Sequence, residues 1–261
     1  AHKVLESNDV IVGRGDYKRS AIGINPDGSI VFGQVSYYGE VIVNGENYTI
    51  NGVNCGRSAN SIILYNNRYG TSTGTNESGI EIVVRNNTVT NILRGKGNSP
   101  IPYDGFVISA HGSAIQNFSN VSVGDSIYVQ EMAIDDYGNF DDAVHIIGAG
   151  PRLVMGGQVY VTADEESFPS DIRVGRAPRA AFGVTIYGDY IFAVVDGRQA
   201  HSRGCTLQEW ADILVNQFGA VDAINLDGGG SAELIVKGNV VNSPSDGKER
   251  PVASALMILP K

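Results

Sequence analysis

Basic charge is scarce in this sequence. Its 261 residues carry 19 Lys and Arg against 28 Asp and Glu, a formal net charge of −9. A nucleic-acid partner needs a basic stripe to follow the phosphate backbone, so that class is excluded. An anionic small ligand stays open, but only at a local arginine site working against the overall field. Cysteine is nearly absent too. With only Cys55 and Cys205 there is no disulfide framework and no thiolate metal spacing. The two thiols can join in one bridge or stay free. The four histidines form no His/Asp cluster of ligand spacing, and neither a metal nor a cofactor is expected. No apolar run approaches the ~20 residues that a membrane-spanning helix needs. Nothing in the chain specifies an oligomeric state.

Low lysine, with abundant Asn, Gly, Ser and Thr and 12 Tyr, points to a secreted or cell-envelope protein. The chain starts Ala1-His2 rather than with Met, as a trimmed or mature form would. Glycine is plentiful, at 33 residues, and short β-rich runs dominate. AIGINPDGSIVFGQV (21–35) reads as strand, turn, strand, with Pro26-Asp27-Gly28 at the bend. EVIVNGENYTI (40–50) is a hairpin around Asn44-Gly45. RLVMGGQVYV (152–161) turns at Gly156-Gly157, and AAFGVTIYGDYIFAVVDG (180–197) at Gly188-Asp189. SIILY, GIEIVVRNNTVTNIL, DGFVISA and DSIYVQEMAI continue the strand pattern.

One helix is clear. In TLQEWADILVNQFG (206–219), Leu207, Trp210, Ala211, Leu214, Val215 and Phe218 recur on one stripe. Thr206 and Glu209 form a capping box, and Gly219 ends the helix. The strand AINL (223–226) follows. The polar segment 163–179 is the best candidate for a long functional loop. These elements specify an α+β fold: a β-rich single domain with a mixed or antiparallel sheet core and few flanking helices.

Chemistry concentrates near the C-terminus. INLDGGGSAELIV (224–236) ends a buried run on Asp227, then bares the backbone at Gly228, Gly229 and Gly230 before Ser231 and a second apolar run expected to be buried. Such a bend lets the backbone approach a ligand, and its amides can nest an anion. A tight hairpin turn with Asp227 bonded to its own backbone would use the same residues. It is not a Walker loop, because the Lys-Ser/Thr ending is missing. VVDGRQAHSRG (194–204) repeats the theme, with Asp196, Arg198 and His201 after an apolar strand. Arg176 and Arg179 precede another strand; of the two, Arg176 reads as surface solubility. Glu249-Arg250 sit at the mouth of a final strand over 251–258, where a structural ion pair and a ligand role are equal readings. His111, between small residues, is a packed core histidine or a hydrogen-bonding site residue. The acidic run Asp135, Asp136, Asp141, Asp142 lacks the EF-hand order and reads as a solvated loop.

RAPRAAFGVT, VVDGR, SRGCTLQEWADILVNQFGAVDAINLDGGGS and NSPSDGKERPVASAL, spread in this order over residues 176–256, together resemble the phosphodiester glycosidase family. That is the family of the mammalian uncovering enzyme. GVNCGRSANSIILYNNRYGTSTGTNESGIEIVV, PYDGFVISAHGSA and HIIGAGPRLVMGGQVYV are similar to bacterial members, and residues 1–50 match only loosely. The resemblance implies a β-rich segment over 1–50 packed on a phosphodiester glycosidase domain over 51–261. It implies a hydrolase that releases a sugar of N-acetylglucosamine type from a sugar-1-phosphodiester or phosphorylated glycan. Carried over, Arg179, Arg198, Asn225, Gly228, Gly229, Gly230, Ser231, Glu249 and Arg250 would bind substrate and phosphate. Asp227 and Asp196 would be the carboxylates, with His111 as a further candidate. One departure is Cys55-Gly56-Arg57, where many relatives carry Gly-Gly-aromatic; it bears on the sugar pocket.

Two other classes use the same residues. A binding module for envelope phosphosugars would capture phosphate without turnover. A structural domain of an envelope or phage particle would carry a degenerate site. The joint presence of Asp196, Arg198, Asp227 and Arg250 argues against the second.

Overall fold

The computed structural model describes residues 3–7, 10–11, 18–135, 140–252 and 254–259. Asp136 of the acidic run lies outside them. The chain separates into two compact units. One takes the described residues 18–35 and those from 135 onward; the other is centred on residues 36–134. The long strand Ile30–Val43 contributes to both.

The unit of residues 36–134 is built on a five-stranded sheet in the order Gly52–Val53, Ile62–Asn66, Gly105–Ala110, Ile80–Arg85, Thr88–Arg94. Alternation puts Ile62, Leu64, Ile80, Ile82 and Ile108 into one core and Ile63, Tyr65, Val83 and Val107 into another. A strand buried on both faces must be apolar throughout, and four of the five residues of Ile62–Asn66 are buried. Glu81 is the exception, fully buried among these residues. Burial pushes its carboxyl up, but bonds from Thr75 and Ser99 outweigh it and hold it below the usual range.

The other unit carries an antiparallel sheet of five strands, Gln158–Val159, Arg152–Met155, Ala220–Asn225, Arg179–Thr185 and Tyr190–Val195. One face is covered by the helix Leu207–Phe218, through Leu207, Trp210, Ala211 and Leu214. Beneath it lie Ala181, Ala193 and Ala223, whose small side chains let helix and sheet approach closely. The opposite face presents Phe182, Phe192 and Ile224 to Ile22, Ile30 and Phe32. Phe182 and Phe192 meet edge to face at 5.1 Å.

The expected fold class and several local signals stand, although the chain expected as a single domain divides into two compact units. The fold is β-rich α+β, and the helix has both bonds of its capping box and a left-handed Gly219. Asn44 and Gly45 both take positive φ, as a type I′ hairpin requires. Two expectations are corrected. The run after the triple glycine is not buried: Ile235–Val236 is a two-residue exposed strand. The described residues beyond Arg250 form no strand; Val252, Met257, Ile258 and Leu259 are exposed, and only Leu256 reaches a core. Apolar alternation makes a strand only where a neighbour offers a free edge. Neither Cys55 nor Cys205 is in a disulfide.

The polar segment 163–179 proves partly structural. Its Glu166 is buried and accepts from Ser20 N (2.8 Å), Ser20 Oγ (2.6 Å), Arg152 N (3.3 Å) and the Thr162 hydroxyl. One carboxylate thus ties together segments 146 residues apart in sequence. Glu166→Ala orphans these donors and should destabilise the protein by at least about 3 kcal/mol in urea unfolding.

Candidate functional site

The site forms at one end of the second sheet. Tyr190–Val195 and Ala220–Asn225 both run antiparallel to Arg179–Thr185, which lies between them. Arg179 pairs with Val195 and Ala181 with Asn225, so Asp196 and Asp227 leave the sheet where Arg179 enters it. Two strand spacings put these backbones about 10 Å apart.

Both exit loops lean on the same short piece of backbone. A Cβ on Gly197 would lie 2.6 Å from Pro178 N, one on Gly204 2.3 Å from Ala177 O, and one on Gly228 2.7 Å from Pro178 O. The Gly229 amide donates to Pro178 O at 2.9 Å. Only bare backbone can crowd a peptide this closely. The Gly228 amide donates to Asp227 Oδ1 at 3.1 Å, so Asp227 does bond its own turn. The glycines therefore act mainly by close packing, and the amides of Gly228 and Gly229 are already engaged.

The arginines differ in role. Arg179 is 3% exposed; its Nε donates to Cys205 O at 3.1 Å and its Nη2 to Gly175 O at 2.7 Å and Ile172 O at 3.1 Å. Burial lowers its pKa, and the neighbouring Arg198 adds to that. Arg198 is exposed, takes a left-handed φ of 58°, and makes no hydrogen bond or ion pair among the described residues. Its Nη1 lies 3.1 Å from where a Gly229 Cβ would stand. Arg250 donates Nε to Asp246 Oδ2 at 2.8 Å and extends Nη1 to 3.5 Å from Ser231 Oγ. The Asp246–Arg250 pair covers Gly230, where a Cβ would lie 2.3 Å from each partner. Arg250 therefore pairs with Asp246, not with Glu249. Glu249 faces Glu233 instead, whose carboxyl is raised by desolvation first and then by Glu249. Arg176 is tied to Glu209 and to Gly204 O, as a surface residue.

A polar network binds the loops together. Asp196 Oδ1 accepts from Asn242 Nδ2 at 3.1 Å and Ser243 N at 2.9 Å, and Oδ2 contacts His201 Nε2 at 3.1 Å. Burial pushes the Asp196 carboxyl up, but Ser243, His201 and Asn242 together hold it below its ordinary range. Asn242 Nδ2 also donates to Ala232 O, and Gln199 exchanges hydrogen bonds with Ser243. Asn225 is buried; its Nδ2 donates to Gly150 O at 3.2 Å and Leu226 O at 2.6 Å, fixing the end of its strand.

The fold thus gathers Arg179, Asp196, Arg198, Asn225, Asp227, the three glycines, Ser231, Glu249 and Arg250 within one unit. His111 belongs to the other unit. There it precedes the 3-10 turn Gly112–Phe118, its amide bonded to Ser61 O and its Nδ1 buried without a partner, beside an open cleft of about 470 Å³. Asn242, Ser243, Gln199 and Asp246 had no signal beyond their place in turn-forming runs. His201 was visible as an imidazole near Asp196, but not its orientation. Among the described residues, no group of three or more His, Cys, Asp or Glu is arranged to hold a metal ion. No helix among them is long and apolar enough to cross a membrane.

The family model described as "Phosphodiester glycosidase" matches residues 78–259. A prophage-derived uncharacterized protein of Bacillus subtilis is 30% identical over 139 residues, 51% of this chain and 21% of its own. N-acetylglucosamine-1-phosphodiester alpha-N-acetylglucosaminidase from Bos taurus is 34% identical over 113 residues, 40% of this chain and 21% of its own. The chain thus spans about a fifth of the length of these relatives. A crystal structure of a hypothetical protein from Synechocystis superposes with a TM-score of 0.80 and 30% identity, covering 94% of this chain and 46% of that one.

Two measurements probe this geometry. Gly228→Ala drives a Cβ into a backbone carbonyl and should cost roughly 1–3 kcal/mol. Gly230→Ala displaces only side-chain ends and should leave the melting temperature close to that of the parent. The Asp196 carboxyl is depressed in the fold, so its contribution is present above the unfolded value of about 4 and lost as pH falls through the folded one. The stability gap between the parent and Asp196→Asn should therefore narrow on acidification below about pH 4 in urea titrations.

Proposed function

Since the chain belongs to the phosphodiester glycosidase family, we propose that it hydrolyses a sugar-1-phosphodiester to free sugar and phosphomonoester. Family membership supports a glycosidase-type hydrolase; the substrate class rests on the site. The observation that carries this reading is the exposed Arg198 guanidinium, without a hydrogen-bond or ion-pair partner among the described residues, over Gly229, two residues along from Asp227. A guanidinium fork suits the oxygens of a phosphodiester. Arg250, held on Asp246 through both Nε and Nη2, offers its Nη1 beside Ser231 as a further donor. Arg179 adds positive field from behind while holding the loop.

The chemistry needs little more. A phosphomonoester is a good leaving group, so breaking its bond to the sugar carbon needs little general acid, unlike ordinary glycoside hydrolysis. One carboxylate at the reacting carbon suffices, and Asp227 takes that place as nucleophile. Its attack expels the phosphomonoester with the bonding electron pair and leaves a glycosyl ester that water then hydrolyses. The name of the cattle relative supports a sugar of N-acetylglucosamine type. A secreted or cell-envelope setting, where such phosphodiesters occur, completes the reading.

A panel of sugar-1-phosphodiesters and nucleotide sugars tests it. The parent should turn over at least one, and Asp227→Asn should lower that rate about 10²–10⁴-fold. Arg198→Ala should lower kcat/KM about 10–100-fold, the worth of one charged hydrogen bond. In oxygen-18 water the label should enter the sugar; label in the phosphate would mean attack at phosphorus. A parent inert on the whole panel would sink the assignment.

A further inference from the structure

We infer that His201 is the proton acceptor of this site and that Asp196 is its positioning residue, an inference that rests on the glycosidase reading above. Asp196 is a strand-end carboxylate like Asp227, and both of its oxygens are occupied. Oδ1 receives Asn242 Nδ2 and Ser243 N, and Oδ2 holds His201 Nε2 at 3.1 Å. A carboxylate bound by three donors is a weak base and offers no open lone pair to a sugar carbon.

The same bonds orient an imidazole. A neutral histidine that donates through Nε2 presents a bare Nδ1 lone pair. His201 Nδ1 makes no hydrogen bond among the described residues, and the side chain is 55% exposed against 22% for Asp196. The loop turns the ring back on purpose-built contacts: Ser202 Oγ donates to Asp196 O at 2.6 Å and Gln199 N to Ser202 O at 3.0 Å. Arg198, in this same loop, lies over Gly229. The imidazole is thus carried on the element that brings Arg198 to the glycine turn. Asp196 is the charged group bonded to the ring, and Asn242 and Ser243 bind Asp196 as neutral donors.

The role is to activate water in the second step. Water gives a proton to His201 Nδ1 as its oxygen bonds to the sugar carbon. The bond from that carbon to Asp227 breaks, and its electron pair returns to the carboxylate. The imidazolium, steadied by Asp196, releases the proton to solvent.

His201→Gln tests this on the intact chain, and its exposed position makes the substitution easy to accommodate. The variant should release up to one equivalent of phosphomonoester in a burst, then turn over about 10²–10⁴-fold more slowly. A structural histidine would show no burst. Nitrogen-15 NMR of the parent should find the imidazole proton on Nε2, and Asp196→Asn should weaken that preference. Steady-state turnover of His201→Gln within about threefold of the parent, a loss without a burst, or the proton on Nδ1 in the parent would each overturn the inference alone. A parent inert toward every phosphodiester would overturn the glycosidase reading, and this with it.

Discussion

The site depends on one crowded peptide. Ala177-Pro178 is approached by Gly197, Gly204 and Gly228, at distances that leave no room for a Cβ, and it receives the Gly229 amide. This contact sets how far apart the two strand-end loops can lie. It brings Arg198 over the triple-glycine turn and keeps Asp227 beside it. Because the approaching groups are backbone, the spacing does not vary with rotamers. The proposed phosphodiester site would need that rigidity, since Coulomb energies and fork geometry both fall off over small displacements.

Around this contact, like residue types are separated into different jobs by their partners. Arg179 spends two of its nitrogens on three backbone carbonyls and becomes part of the frame. Arg198 spends none on the described residues and remains available. Asp196 collects three donors and links two loops, whereas Asp227 caps its own glycine turn. On a chain with a net charge of −9, an anionic ligand would be held only where guanidinium groups meet locally.

The sheet that supports the site owes its precision to small side chains. Ala181, Ala193 and Ala223 let the Leu207–Phe218 helix settle close, while Phe182, Phe192 and Ile224 fill the opposite face. Glu166 adds a polar clamp in the same unit. A buried carboxylate is tolerable there because every donor around it is directed inward. The strand ends, and with them Asp196 and Asp227, are therefore held by a packed core and not by the loops alone.

Much of this was legible in the order of residues. Local rules need only neighbouring positions, so the Asn44-Gly45 hairpin, the Thr206–Glu209 capping box and the Gly219 stop could be read directly. The motifs of the family likewise named the loops that meet at Ala177-Pro178, whereas His111 lies in the other unit. What could not be read was the choice of partner for each charged side chain. Arg250 pairs with Asp246 rather than Glu249, and Asp196 binds Ser243 from 47 residues away. Nor could the sequence tell that the described apolar residues after Arg250 would form no strand, or that Glu166 would serve as a hub. Local conformation follows from a few adjacent side chains, but a charge or a free edge takes whichever partner the folded chain brings within about 3 Å; that was decided only by the tertiary structure.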